Sequence, residues 1–216
     1  MKNAFFSALL AEFLGSVFLV MAAVSPMILL ANSPPGVALF ANAVAVAWVL
    51  FALIEIFAPL SGAHFNPVVT VVLGFENKMG ATKAAAYIVV QIFGGVVGII
   101  FTHLMFFREV GAVLAVSTNP RQEYFSEILA TFILMLAILL LVEMKSTKSA
   151  LVVGLLVGGQ VLATSSTMFA NPQVTIARML TAIQPGIRPL DGLAYIAAQF
   201  AGGVLAYGVF RVLRRR

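Results

Sequence analysis

The sequence predicts an all-α membrane protein with six transmembrane helices and two re-entrant half-helices, arranged as an inverted three-span repeat. Three observations carry that prediction: a composition too apolar to face water, six long apolar runs, and motifs that recur in the same order in both halves. Only 10% of the 216 residues are charged and 62% are apolar, with a mean hydropathy of +1.06. A water-soluble domain carries about 25% charged residues, so the composition excludes a soluble enzyme, a nucleic-acid-binding domain and a disordered chain. No cysteine is present, which removes disulfides, thiolate metal sites and cysteine nucleophiles together.

Runs long enough to cross a hydrocarbon core, roughly 20 residues each, fall near 5–30, 37–57, 82–107, 124–143, 149–169 and 190–210. They fill most of the chain, so residues 1–216 read as a single transmembrane domain. Glu12 interrupts the apolar part of the opening segment, which therefore reads as a retained first span rather than a signal peptide. Assigned alternately, one side holds Lys2, Lys78, Lys83, Lys145, Lys148, Arg211, Arg214, Arg215 and Arg216. The other holds Arg108, Arg121, Arg178 and Arg188. The excess of basic residues on the first side places both termini in the cytoplasm.

The repeat is read from three matches. Ala11-Glu12-Phe13-Leu14 resembles Ser126-Glu127-Ile128-Leu129. Phe65-Asn66-Pro67 recurs as Ala170-Asn171-Pro172, each followed closely by a Val-Thr pair. Ala86-Tyr87-Ile88 with Gln91, Gly94 and Gly95 recurs as Ala194-Tyr195-Ile196 with Gln199, Gly202 and Gly203. The repeats cover about 1–107 and 122–212. Each contains three spans, and because three is odd the second half enters the bilayer from the opposite face. The spacings Gly94/Gly98, Gly154/Gly158 and Gly202/Ala206 read as close helix contacts.

Asparagine is a preferred N-cap and proline is favoured at the next position, where its missing donor costs nothing. Asn66-Pro67 and Asn171-Pro172 therefore read as helix starts. About ten residues follow each before a turn signal, roughly 15 Å of helix and half the hydrocarbon thickness. Non-helical backbone at membrane depth is tolerated only where protein buries it or a wet cavity is lined by it. Two such half-helices from opposite faces would bring Asn66 and Asn171 together at the centre.

At this point the chain resembles the aquaporin or major intrinsic protein family, whose hallmark is two Asn-Pro-Ala motifs on half-helices within a six-span inverted repeat. The resemblance covers nearly the whole chain and implies a homotetramer in which each subunit forms its own pore, here in a bacterial plasma membrane, with no cofactor. Glu12 and Glu127 are implied to hold the segments leading to the half-helices by accepting backbone N–H groups, and His64 to support the first motif. The third motif residue departs from alanine: it is Val68 in one half and Gln173 in the other.

A larger departure is Val174, three residues after Asn171, where many family members carry an arginine that narrows and charges the constriction. Carrying over the remaining filter positions by their distance from the motif gives Val46, Gly159 and Met168, none charged and none aromatic. The resemblance thus implies a filter wider and more apolar than that of a strict water channel. Arg178 follows four residues after Val174, about 40° off its face and roughly 6 Å along the axis. Two readings stand for it: a charge in the outer vestibule, or a cation near the half-helix C-terminus paired with a carbonyl or carboxylate. The run from Asn171 to Arg178 resembles a bacterial branch of the family associated with metalloid handling.

The half-helix dipoles are the family's established device against cations. Each N-terminal end counts as about half a positive charge, and two of them about 6 Å from a cation give roughly 3 kcal/mol at an effective dielectric of about 20. Stripping water from an ion costs several kcal/mol more, so desolvation supplies most of the barrier and a neutral solute escapes it. Glu55 has no counterpart in the second half and His103 stands alone in the third span; neither His64 nor His103 has a second metal ligand at suitable spacing. No nucleophile-base grouping or phosphate-binding loop occurs, so no enzyme is expected. The expected function is a passive channel for small uncharged solutes, polyols such as glycerol or metalloid hydroxides such as arsenous acid, with water permeability. A water-selective channel and, from another class, an ion-coupled secondary transporter are the alternatives.

Overall fold

The computed structural model describes residues 2–76, 79–106, 121–182 and 186–214; Lys78, Arg108, Arg215 and Arg216 lie outside them. The described residues form eight helices: α1 Lys2–Leu29, α2 Pro35–Ser61, α3 Pro67–Glu76, α4 Ala81–Met105, α5 Arg121–Glu143, α6 Ser149–Ala163, α7 Pro172–Arg178 and α8 Pro189–Leu213. Five of them, α1, α2, α4, α5 and α8, are long and apolar enough to cross a membrane. Helix α6 has 15 residues, shorter than the expected run of 149–169. The apolar residues Met168, Phe169 and Ala170 beyond Ala163 are not helical, and the N–H groups of Phe169 and Ala170 are taken by a buried carboxylate described below.

The packing repeats with the sequence. Helix α1 lies on α2 and α4 as α5 lies on α6 and α8, and α2 meets α6 where the halves join. The two short helices sit between the third spans of both halves: α7 packs chiefly on α4 and also on α8, and α3 lies against both α4 and α8. Apolar side chains such as Trp48, Phe93, Leu155 and Val204 are exposed on the outer faces, as expected where lipid is the solvent.

Small residues set the closeness of these contacts. A Cβ on Gly158 would stand 2.7 Å from the Ala43 carbonyl oxygen in α2, and one on Gly98 would stand 2.5 Å from that of Val17 in α1. Gly202 makes the same approach to the Ile128 carbonyl. With no hydrophobic force to join helices in lipid, backbone contact of this kind supplies the packing. At the C-terminal end of α8, Arg214 pairs with Glu76 and, at 3.1 Å, with Glu143, which ties the ends of α3, α5 and α8.

Gly158→Leu is expected to lower stability by about 1–3 kcal/mol or to prevent assembly, because backbone rather than a movable side chain opposes it. Gly208, which has nothing within 4 Å of an added Cβ, should tolerate alanine with a gain of up to about 1 kcal/mol. Thermal unfolding of the two variants in detergent checks the contrast.

Candidate functional site

Two buried carboxylates organise the irregular segments before the half-helices. Glu12 accepts from the backbone N–H of His64 at 2.9 Å and of Phe65 at 2.8 Å, and from Gln91 Nε2 at 2.8 Å. Glu127 accepts from the N–H of Phe169 at 2.9 Å and of Ala170 at 2.8 Å, from Gln199 Nε2 at 2.7 Å and from Ser166 Oγ at 2.7 Å. The same two glutamines donate to Thr70 Oγ1 and Thr175 Oγ1, the hydroxyls of the repeated Val-Thr pairs. Both carboxylates are fully buried.

These bonds hold backbone that would otherwise be unfavourable. Ala63 and Phe65 in one segment, and Thr167, Met168 and Ala170 in the other, have φ between 44° and 55°. Left-handed conformation costs a non-glycine residue roughly 1–3 kcal/mol and persists only where the surroundings over-determine it. A carboxylate accepting two adjacent N–H groups does that, since charge-assisted bonds are about twice as strong as neutral ones.

The asparagines meet as the repeat requires. Asn66 Nδ2 donates to the Ala170 carbonyl at 2.8 Å, and Asn171 Nδ2 donates to the Phe65 carbonyl at 2.8 Å. Each side-chain oxygen caps its own half-helix, accepting from Val68 N at 2.9 Å and from Gln173 N at 3.1 Å. Helix α3 has the expected ten residues, whereas α7 has seven. It ends early in a turn in which Met179 N reaches the Thr175 carbonyl and Ile187 N the Arg178 carbonyl.

Beside this junction lies a cavity of about 280 Å³. Asn66 and Asn171 border it, as do Val46, Met168, Val174, His64 and Arg178. Gly159 does not, which corrects the filter position inferred from distance. The residues that α6 turns to the cavity are Ser149, Val153, Val157 and Val161, and Gly159 stands two residues from each of the last two, about 200° around the helix. It is exposed on the outer face. Counting back from the motif failed because the intervening segment is not helical.

Val68 and Gln173 are fully buried and point away from the cavity into the helix crossings. The Gln173 side chain presses on Gly95, while a Cβ on Gly203 would stand 2.6 Å from Val68 Cγ1. A longer third motif residue is thus matched by a glycine on the opposing span in both halves. Gln173 Nε2 also donates to the Phe65 carbonyl at 3.3 Å.

Arg178 is the last residue of α7, and both readings of it hold in part: it borders the cavity, and its Nη2 donates to a carbonyl, that of Ala23, at 3.1 Å. Asn42 donates to the same carbonyl at 2.8 Å. His64 pairs through Nδ1 with Thr70 Oγ1 at 3.1 Å. His103 is buried against Thr181, Nε2 to Oγ1 2.8 Å, away from the cavity. Glu55 is exposed on α2 and does not border the cavity. Sequence reasoning missed Thr70, Thr175, Asn42 and the valines of α6; the duplicated Val-Thr pair was the available signal for the first two.

Glu127→Gln replaces an acceptor with an NH₂ group facing donors, so it is expected to destabilise by about 1–3 kcal/mol. Glu55→Gln, on an exposed face, should change stability by less than about 0.5 kcal/mol. Denaturation of both variants in one detergent tests the pair.

The comparisons with known proteins agree with this geometry. The model of the family described as Major intrinsic protein matches residues 1–170. The chain is 36% identical over 206 residues to Aquaglyceroporin AqpS of Rhizobium meliloti (strain 1021), covering 94% of this chain and 88% of that protein. It is 27% identical to Aquaporin NIP1-4 of Oryza sativa subsp. japonica, covering 98% and 80%. Its fold superposes on the X-ray structure of the aquaglyceroporin from Plasmodium falciparum with a TM-score of 0.73, at 19% identity and 95% coverage of both chains. Two capped half-helices from opposite halves, joined at their asparagines within a helical shell of this shape, agree with those likenesses: the chain belongs to the major intrinsic protein family.

Proposed function

We propose that this chain is a passive channel for small uncharged solutes, conducting polyols such as glycerol and neutral metalloid hydroxides such as arsenous acid as well as water. One observation carries the reading. The cavity is apolar over most of its wall, and its centre is marked by two asparagines whose orientation is fixed by reciprocal hydrogen bonds. A hydroxylated solute finds amides and backbone carbonyls along one stripe and loses little elsewhere, whereas an ion must give up its hydration against valine and leucine. Members of this family are channels rather than enzymes.

Val46, Met168 and Val174, with Val161 in place of Gly159, serve as the ring that selects by size. All four are buried aliphatic side chains bordering the cavity. The absence of an arginine at Val174 leaves room for solutes broader than water. Each subunit forms its own pore in a homotetramer, whose outer contacts the exposed apolar faces of the long helices can supply. Both termini lie in the cytoplasm of a bacterium, on the side richer in lysine and arginine.

Proteoliposomes are expected to swell in glycerol and in arsenous acid well above protein-free vesicles, as light scattering after rapid mixing reads directly. Fast water flow with neither solute conducted would instead mean a water-selective pore. Val174→Arg should lower glycerol flux by about tenfold or more, roughly 1.4 kcal/mol of barrier, with a smaller effect on water. Equal loss of both would misplace the size-selecting ring.

A further inference from the structure

A channel for neutral solutes leaves Arg178 without a task, yet its setting is built. Counting from each motif asparagine, the third and seventh residues border the cavity in both half-helices: Val69 and Leu73 on α3, Val174 and Arg178 on α7. The repeat therefore sets a guanidinium where the other half has a leucine. Arg178 is 3% exposed. Its guanidinium carbon lies 4.0 Å from the centre of the Phe169 ring, and Nη2 donates to the Ala23 carbonyl at 3.1 Å.

Both anchors are neutral. Among the described residues, Nε and Nη1 have no hydrogen-bond partner and no ion pair within 4.0 Å involves this side chain. Glu127, whose oxygens accept from the N–H groups of Phe169 and Ala170, the Ser166 hydroxyl and the Gln199 amide, lies beyond ion-pair distance and attracts Arg178 only through space. Among the described residues that border the cavity, Arg178 alone carries a formal charge. A guanidinium stays protonated even when desolvated, and with no opposite charge in contact among the described residues it projects its field into the low-dielectric lumen beside it.

We propose that Arg178 adds a fixed-charge component to the cation barrier of this pore and that this component is separate from the size-selecting ring. In the family pattern described above, one arginine at the position of Val174 both narrows and charges the filter. Here the two tasks are divided between neighbouring turns of α7: aliphatic residues set the width, and Arg178, one turn farther from the central asparagines, sets the charge. Phe169 and the Ala23 carbonyl hold the guanidinium against the cavity wall. The passage can thus be broad enough for a polyol while still turning away potassium and sodium ions.

The inference rests on the channel reading, and the test separates the two. Proteoliposomes are assayed for potassium efflux and for osmotic water flow in the same preparation, and the ratio of the two permeabilities is compared between variants. Arg178→Leu should raise that ratio by about tenfold or more. Val174→Glu leaves the Arg178 contacts in place and sets a carboxylate at ion-pairing spacing before it; it should also raise the ratio. An unchanged ratio in Arg178→Leu vesicles that still conduct water overturns the proposal, as it does in Val174→Glu vesicles should the leucine variant fail to insert. Native vesicles that leak potassium along with glycerol overturn it without any variant. Native vesicles that pass neither water nor glycerol would instead sink the channel reading itself.

Discussion

The exchange of hydrogen bonds between Asn66 and Asn171 and the carbonyls of Ala170 and Phe65 is the constraint on which the remaining structure depends. Backbone that is neither helix nor closed sheet cannot stand in hydrocarbon unless every polar group finds a partner. The chain meets that condition by letting each half complete the other: an asparagine caps its own half-helix through its oxygen and satisfies the opposite segment through its nitrogen. The amides are thereby fixed in orientation, which is what lets them present a constant face to a passing solute.

Around that exchange, the strained segments need rigid support, and buried glutamates supply it. Desolvating a carboxylate is costly unless it is fully hydrogen-bonded, and Glu12 and Glu127 each find at least three donors. The strain in residues such as Phe65 and Ala170 and the burial of the two acids are therefore parts of one arrangement. Neither is tolerable alone. The glycines at the helix crossings act one level farther out, allowing the spans to come close enough for Gln91 and Gln199 to reach both a carboxylate and a threonine.

Much of this was legible in the chain, for identifiable reasons. Asn-Pro carries its capping chemistry in two adjacent residues, so its duplication read directly as paired helix starts. Glu12 and Glu127 stood out because an acid within an apolar run demands a partner. Gly159 failed because a helix face depends on phase, and one unrecognised non-helical segment between Ala163 and Asn171 shifts that phase entirely. The length of α6 was overestimated for the same reason: Met168, Phe169 and Ala170 are apolar, and hydropathy cannot tell lining from spanning. Asn42 left no signal, since its partner is a main-chain carbonyl on another helix.

The reciprocity of the central bonds also bears on how the protein is made. Ala170, which accepts from Asn66, follows it by 104 positions, so the earlier part of the chain emerges from the ribosome well before its complement has been synthesised. During that interval the first re-entrant loop has no finished interior to settle into, and its polar backbone must wait among whatever water or neighbouring protein will hold it. The two central bonds can therefore close only after the second half has been made. The closing act is the arrival of the second loop, and the conduit comes into being at that moment.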